Sequence, residues 1–302
     1  MYEEKAKIPL KISTNIRSLF LFSHLKDIWD DMRNFPYALI KGEALSLLAY
    51  NDVAQRKYND IDILVDRVHI KTLENVLTKH KFICDTKNRK DKIFYLATSH
   101  QSSPYYKKMG ENVILIDINF DILWGEYTGN RINISKFLSD TIEIDMYGCK
   151  IKTLQPLKAL IQLILHHYKD MNSIYRLADH NSINYNMFKD VYYLWKNNRN
   201  LIPIDKLYSI SEEYGIMPFV FYILYFTNEI FHDEDLKQYV KALKTNEGIE
   251  LLNYYGLSEK ERKLWKVDFK TRLEAVNIFN LIKDDFKKED FKKLEHNRNL
   301  FG

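Results

Sequence analysis

The chain has 302 residues, a formal charge of +4 and only nine glycines against 4 Trp, 21 Tyr and 17 Phe. No two glycines are separated by one residue, so a GxGxxG dinucleotide loop is excluded, and so is a GxxxxGK[ST] phosphate loop. The small, scattered charge argues against a nucleic-acid or membrane-surface protein. Cys84 and Cys149 alone cannot build a disulfide framework or a four-thiolate zinc site.

In chain order, apolar spacing predicts helices over 15–33, 43–50 and 69–80. Strands are predicted at 61–65 (IDILV), 93–97 (IFYLA) and 113–123 (VILIDINFDIL), where β-branched residues concentrate. Residues 142–152 read as a hairpin turning at Tyr147-Gly148. After Thr153 the texture is helical. Leu154, Leu157, Ile161, Ile164 and Tyr168 form one stripe over 154–171, with Pro156 suited to the first turn. Further helices are expected at 185–198, 204–214, 217–231, 233–244, 258–265 and 269–286. The aromatic run 218–226 reads as core packing, and Asp233 as a helix N-cap. No Gly/Ser/Pro linker parts the halves. The expected organisation is an α/β domain over 1–152 followed by a helical domain over 153–302. No apolar run is long enough for a bilayer span. The first twenty residues lack a signal-peptide core, so a cytoplasmic protein is expected.

The chemistry concentrates between Ala38 and Val65. Asp60 and Asp62 flank Ile61, and in a strand residues i and i+2 share a face. Two carboxylates side by side resist ionisation unless a cation joins them. Oxygen ligands of this kind suit Mg²⁺ or Mn²⁺. Lys41-Gly42 lies at the end of a short apolar strand, Tyr37 to Ile40, and at the start of a helix. A glycine there permits close backbone approach, a helix N-terminus attracts phosphate, and Lys41 and Arg56 add cations.

The pattern Lys41, Gly42, Ala44, Leu45, Tyr50, Arg56, Asp60, Ile61, Asp62, Leu64 and Val65 resembles the polymerase-β-like nucleotidyltransferase superfamily. Within it, the chain resembles the bacterial family of uncharacterised nucleotidyltransferases. Glu43 stands where the superfamily carries Ser or Gly. The resemblance implies an α+β fold, an N-terminal nucleotidyltransferase domain with a mixed sheet and a helical domain behind it. It further implies a third carboxylate on a later strand. Asp117, Asn119 and Asp121 share one face of the 113–123 strand. Asp117 and Asp121 would be ~13 Å apart at ~3.3 Å per residue, so only one can join Asp60 and Asp62. The family's acidic-x-His-Trp pattern favours Asp117, with Asn119 in the His position.

A helix of the family carrying His, Lys and a second His resembles LILHHYKDMNSIYRLADH. His166, Lys169, Leu177, Ala178 and Asp179 match, Asp170 replaces the second His and Arg176 a Trp. His100, and Trp265 with Asp268 and Arg272-Leu273, echo further family positions. By resemblance, Asp60, Asp62 and Asp117 are the catalytic metal ligands. Lys41, Gly42, Glu43, Arg56, His166 and Lys169 are the nucleotide contacts. The implied activity is metal-dependent transfer of NMP from an NTP, taken as ATP, to a hydroxyl of a small-molecule or protein acceptor. The acids Glu43, Asp121 and Asp170 permit a cationic acceptor, and the lack of a basic stripe disfavours nucleic acid. The departures at 43, 119, 170 and 176 motivate the rival reading, a nucleotidyltransferase fold kept as a ligand-binding or protein-interaction module. Other constellations are missing: there is no HExxH, no nucleophile elbow and no catalytic Cys motif.

Overall fold

A computed structural model describes residues 2–56, 59–86, 96–179 and 183–301, and the architecture is α+β. The chain's contacts fall into two compact units. The first comprises Met1–Gly125, Ile132–Leu160 and Tyr193–Leu201; the second comprises Glu126–Arg131, Ile161–Tyr192 and Ile202–Gly302.

Among the described residues the first unit holds seven strands: β1 (Tyr37–Ile40), β2 (Ile61–Val65), β3 (Ile83–Cys84), β4 (Tyr105–Met109), β5 (Asn112–Asn119), β6 (Ile142–Met146) and β7 (Cys149–Thr153). Their order is β3-β4-β5-β2-β1-β7-β6. The sheet is mixed: β2 runs parallel to β5 and β1 parallel to β7, and the remaining neighbours are antiparallel. Strand alternation decides what each face does. Tyr37, Leu39, Ile61, Ile63, Val65, Ile114, Ile116, Ile118 and Ile151 point into one core. Helices α1 (Tyr2–Met32) and α3 (Ile70–Lys79) cover that face. Their stripes, Leu21, Phe22, Leu25, Ile28, Trp29 and Met32 on α1 and Ile70, Leu73 and Leu77 on α3, recur at the helical period. The opposite face carries Asp62, Leu64, Asp117 and Asn119.

Helix α2 (Gly42–Tyr50) starts directly after β1. It ends at Asn51, a residue with φ 53° in the left-handed region that stops helices. Its last carbonyls are taken by side chains: Asn198 Nδ2 donates to Leu48 and Asn197 Nδ2 to Ala49, each at 2.8 Å. The hairpin expected at Tyr147-Gly148 joins β6 to β7. Both turn residues have positive φ, 54° and 77°, as a two-residue turn matched to strand twist requires. The strand expected over 113–123 stops at Asn119, because Phe120 and Asp121 turn their amides to the His100 carbonyl. There the two loops meet so closely that a Cβ on Gly125 would lie 1.8 Å from the Thr98 carbonyl oxygen. The strand expected over 93–97 falls mostly outside the described residues.

The second unit is helical. Met217–Phe231 is its buried centre, with Phe219 and Tyr222 packing on Tyr168 at ring separations of 4.5 and 5.2 Å. Asp233 caps the helix Glu234–Ala242, accepting from the amides of Asp235 and Leu236. Two helix expectations fail here. Residues 258–265 form turns and the strand Lys263–Leu264, which pairs with Tyr254–Tyr255. Gly256, at φ 107°, lets the chain fold back until its missing Cβ would sit 2.5 Å from the Glu261 carbonyl oxygen. Residues 269–286 break into Phe269–Glu274, Phe279–Ile282 and a 3₁₀ turn. The break is at Ala275, which is extended, and Asn277 then accepts from the Phe279 amide. No described helix is long and apolar enough to cross a membrane.

Candidate active site

The site sits on the polar face of β1, β2 and β5. Parallel pairing of β2 with β5 sets Asp62 directly opposite Asp117, and antiparallel pairing sets Ile40 opposite Asp62. Lys41 therefore leaves β1 beside Asp62, and its Nζ donates to Asp62 Oδ1 at 2.6 Å. Asn119 Nδ2 donates to the same oxygen at 3.0 Å. With Asp62 only 5% exposed, these two donors fix one oxygen of a buried carboxylate. Lys41 achieves this from a backbone at φ 56°, ψ −150°, a conformation that only glycine adopts freely. No side chain caps α2 at Lys41. The strained residue thus places its cation on Asp62 and presents the helix N-terminus at Gly42.

Electrostatics tie Asp60 and Asp117 to Asp62. Burial, and then the Asp62 charge, hold Asp60 above the ordinary carboxylate range, against the pull of Lys41 and Arg17. Burial, then Asp62 and Asp60, push Asp117 up to about 7, with Lys41 opposing. The acids thus carry more negative charge than Lys41 neutralises, and a proton or a further cation relieves it. All the donors are hard carboxylate oxygens, a set that suits a hard divalent ion.

The other expected residues are distributed as follows. Gly42, at φ 39°, begins α2. Glu43 is fully buried in the first turn. Arg56 is half-buried in the segment after α2, which leads into residues outside those described. Asp121 lies beyond the end of β5 and accepts from the Leu123 amide at 2.9 Å, closing a local turn. His166 and Lys169 belong to the second unit, where both approach Asp170, at 3.3 and 3.7 Å. Arg176 reaches the same carboxylate at 3.3 Å, so two of the four residues that depart from the expected pattern, Asp170 and Arg176, pair with each other.

Two contributors escape sequence reasoning. Arg17 donates to the Asn59 carbonyl at 3.1 Å and lowers the proton affinity of Asp60 from 43 positions away. Asn119 acts as a donor to Asp62, which its alignment with a histidine position does not reveal. No local signal marks Arg17, because its partner is distant in sequence. Asn119 is visible only as a polar residue on the face of Asp117.

The sequence pattern of the family described as "Uncharacterised nucleotidyltransferase" matches residues 14–232, a span that holds the whole carboxylate site. No curated protein sequence matches the chain. Among solved structures, an antigenic nucleotidyltransferase-like protein from Paracoccidioides brasiliensis is similar at 14% identity and a TM-score of 0.35, with 77% of this chain and 92% of that chain covered. A family pattern matched over well more than half of the chain decides membership: this chain belongs to the uncharacterised nucleotidyltransferase family.

Proposed function

We propose that the chain is a metal-dependent nucleotidyltransferase that moves NMP from an NTP, ATP in the first instance, to an acceptor hydroxyl. The observation that supports this best is the register setting Asp62 opposite Asp117, with Lys41 bound to Asp62. A scaffold that had lost catalysis would have no need to bury mutually repelling acids.

In this reading Asp60, Asp62 and Asp117 hold Mg²⁺ or Mn²⁺. Their oxygen donors fit such an ion in kind, and the raised proton affinity of Asp60 and Asp117 supports the need for a cation. The ion supplies charge neutralisation at the phosphates. Lys41 and the Gly42 amide at the start of α2 bind the triphosphate, and Arg56 adds a contact. Asn119 keeps the Asp62 carboxylate in one orientation. The acceptor oxygen bonds to the α-phosphorus as the bond to pyrophosphate breaks and the hydroxyl proton is released. Positioning and charge neutralisation carry the acceleration. His166 and Lys169 are assigned to the nucleotide by family resemblance.

The test is incubation of purified protein with labelled ATP, GTP, CTP and UTP and Mg²⁺ or Mn²⁺, alongside Asp62→Asn. Metal-dependent binding or transfer by the wild type, lost in the variant, supports the reading. No nucleotide binding with either ion overturns it.

A further inference from the structure

The helix Pro156–Asn172 carries a second cluster, separate from the carboxylates on the sheet. His166, His167 and Asp170 each bring a ligand atom within 4.8 Å of the other two. Among the described residues no other group of three His, Cys, Asp or Glu side chains does so; Asp60, Asp62 and Asp117 do not form such a group. The helical period explains the cluster. Asp170 is four residues past His166 and three past His167, so at ~100° per residue it lies between them on the wheel.

The two oxygens of Asp170 are divided between different partners. Oδ1 lies 3.3 Å from Arg176 Nε and 3.7 Å from Lys169 Nζ. Oδ2 lies 3.3 Å from His166 Nε2. Ligand atoms around a tetrahedral ion are ~3.3 Å apart when the bonds are ~2.0–2.1 Å, which is the spacing of that imidazole–carboxylate pair. His167 is buried, and His166 and Asp170 are half-buried, so bulk water has limited access. Two imidazoles and one carboxylate form a softer set than the three carboxylates on the sheet, and this choice of donors selects among ions.

We propose that His166, His167 and Asp170 bind a divalent transition-metal ion, Zn²⁺ by preference. Arg176 and Lys169 hold the far oxygen of Asp170 and fix the near one toward the imidazoles, as supporting contacts commonly do around metal ligands. Three protein ligands leave an open position for water or another oxygen ligand. In this assignment His166 serves a metal in place of the nucleotide contact that the family resemblance implies, and Lys169 supports Asp170. The proposal stands independently of nucleotidyl transfer.

Full-length protein stripped with EDTA and moved to chelator-free buffer is titrated with Zn²⁺ against a chromophoric chelator, with no nucleotide present. One equivalent is expected to bind in the wild type and in Asp60→Asn/Asp62→Asn. Affinity is expected to fall at least ~10-fold in His166→Gln and in Asp170→Asn, each checked for native circular dichroism. X-ray absorption of the Zn²⁺-loaded wild type, which needs no variant to fold, should count two imidazole ligands. Absence of stoichiometric binding overturns the proposal, as do fewer than two imidazoles. Binding that survives His166→Gln and Asp170→Asn but disappears in Asp60→Asn/Asp62→Asn also overturns it.

Discussion

Replacing Asp117 with Asn removes a charge that the metal-free fold holds at a cost. Asp117 takes up its proton at about 7, against an ordinary 3.8, because burial and the charges of Asp62 and Asp60 disfavour its ionised form. A carboxyl whose folded-state value is raised stabilises the fold while it is protonated. That contribution is complete below the ordinary value and is lost as pH rises through about 7. At ~1.36 kcal/mol per pH unit, a wholly dry site would give ~4 kcal/mol above pH 7. Asp117 is half-buried, so screening reduces this to ~1–2 kcal/mol. Asp117→Asn should therefore raise the melting temperature in EDTA at pH 8 by roughly 2–8 °C, at ~2–4 °C per kcal/mol for a domain of this size. At pH 5, above the ordinary 3.8 but below about 7, the loss is only partly incurred, so the gap between the two proteins should be clearly smaller than at pH 8. Mg²⁺ should stabilise the wild type at pH 8 and the variant much less, and nucleotide transfer should disappear in the variant. Differential scanning fluorimetry at both pH values, with EDTA or Mg²⁺, measures the melting temperatures, and release of pyrophosphate from labelled ATP measures the transfer. Equal destabilisation by Asp117→Asn at pH 5 and pH 8 would refute the reasoning, since it would show a lost contact rather than relieved repulsion.

Lys41→Met removes the cation from Asp62 and should lower stability in EDTA by ~1–2 kcal/mol after screening, because it strands a buried charge. The same variant should bind Mn²⁺ more tightly, by electron paramagnetic resonance, while transferring less nucleotide, since Lys41 competes for the Asp62 oxygen. Gly125→Ala should cost ~1–3 kcal/mol or prevent folding, because its methyl would collide with the Thr98 carbonyl; urea denaturation measures the loss. Asp233→Ala should cost ~1 kcal/mol through the lost cap on Glu234–Ala242, measured in the same way, without affecting metal binding at the carboxylates.

Much of the local structure was legible in the sequence because it depends on neighbours along the chain. The alternation in Ile61–Val65, the positive-φ turn at Tyr147-Gly148, the helical stripe of α3 and the Asp233 cap each need only a few consecutive residues. The pairing of a D-x-D strand with a Lys-Gly helix start also lies within one short segment, so Lys41, Asp60 and Asp62 stood out as a group.

Tertiary structure decided what depends on register and burial. Only the parallel pairing of β2 with β5 sets Asp117, rather than Asp121, opposite Asp62. Period 2 alone leaves both on the same face, and the end of β5 at Asn119 then gives Asp121 to a local turn. Arg17 and Asn119 join the site across sequence gaps that no periodicity spans. The broken helix after Phe269 illustrates the same limit: its pattern continues through Ala275, while packing buries Arg272 among Phe226, Trp265 and Phe269 and turns the chain. The sequence by itself determined which elements form and which residue types they carry. The fold determined which of those carboxylates share a low-dielectric space, and that sharing, through desolvation and mutual repulsion, gives them their chemistry.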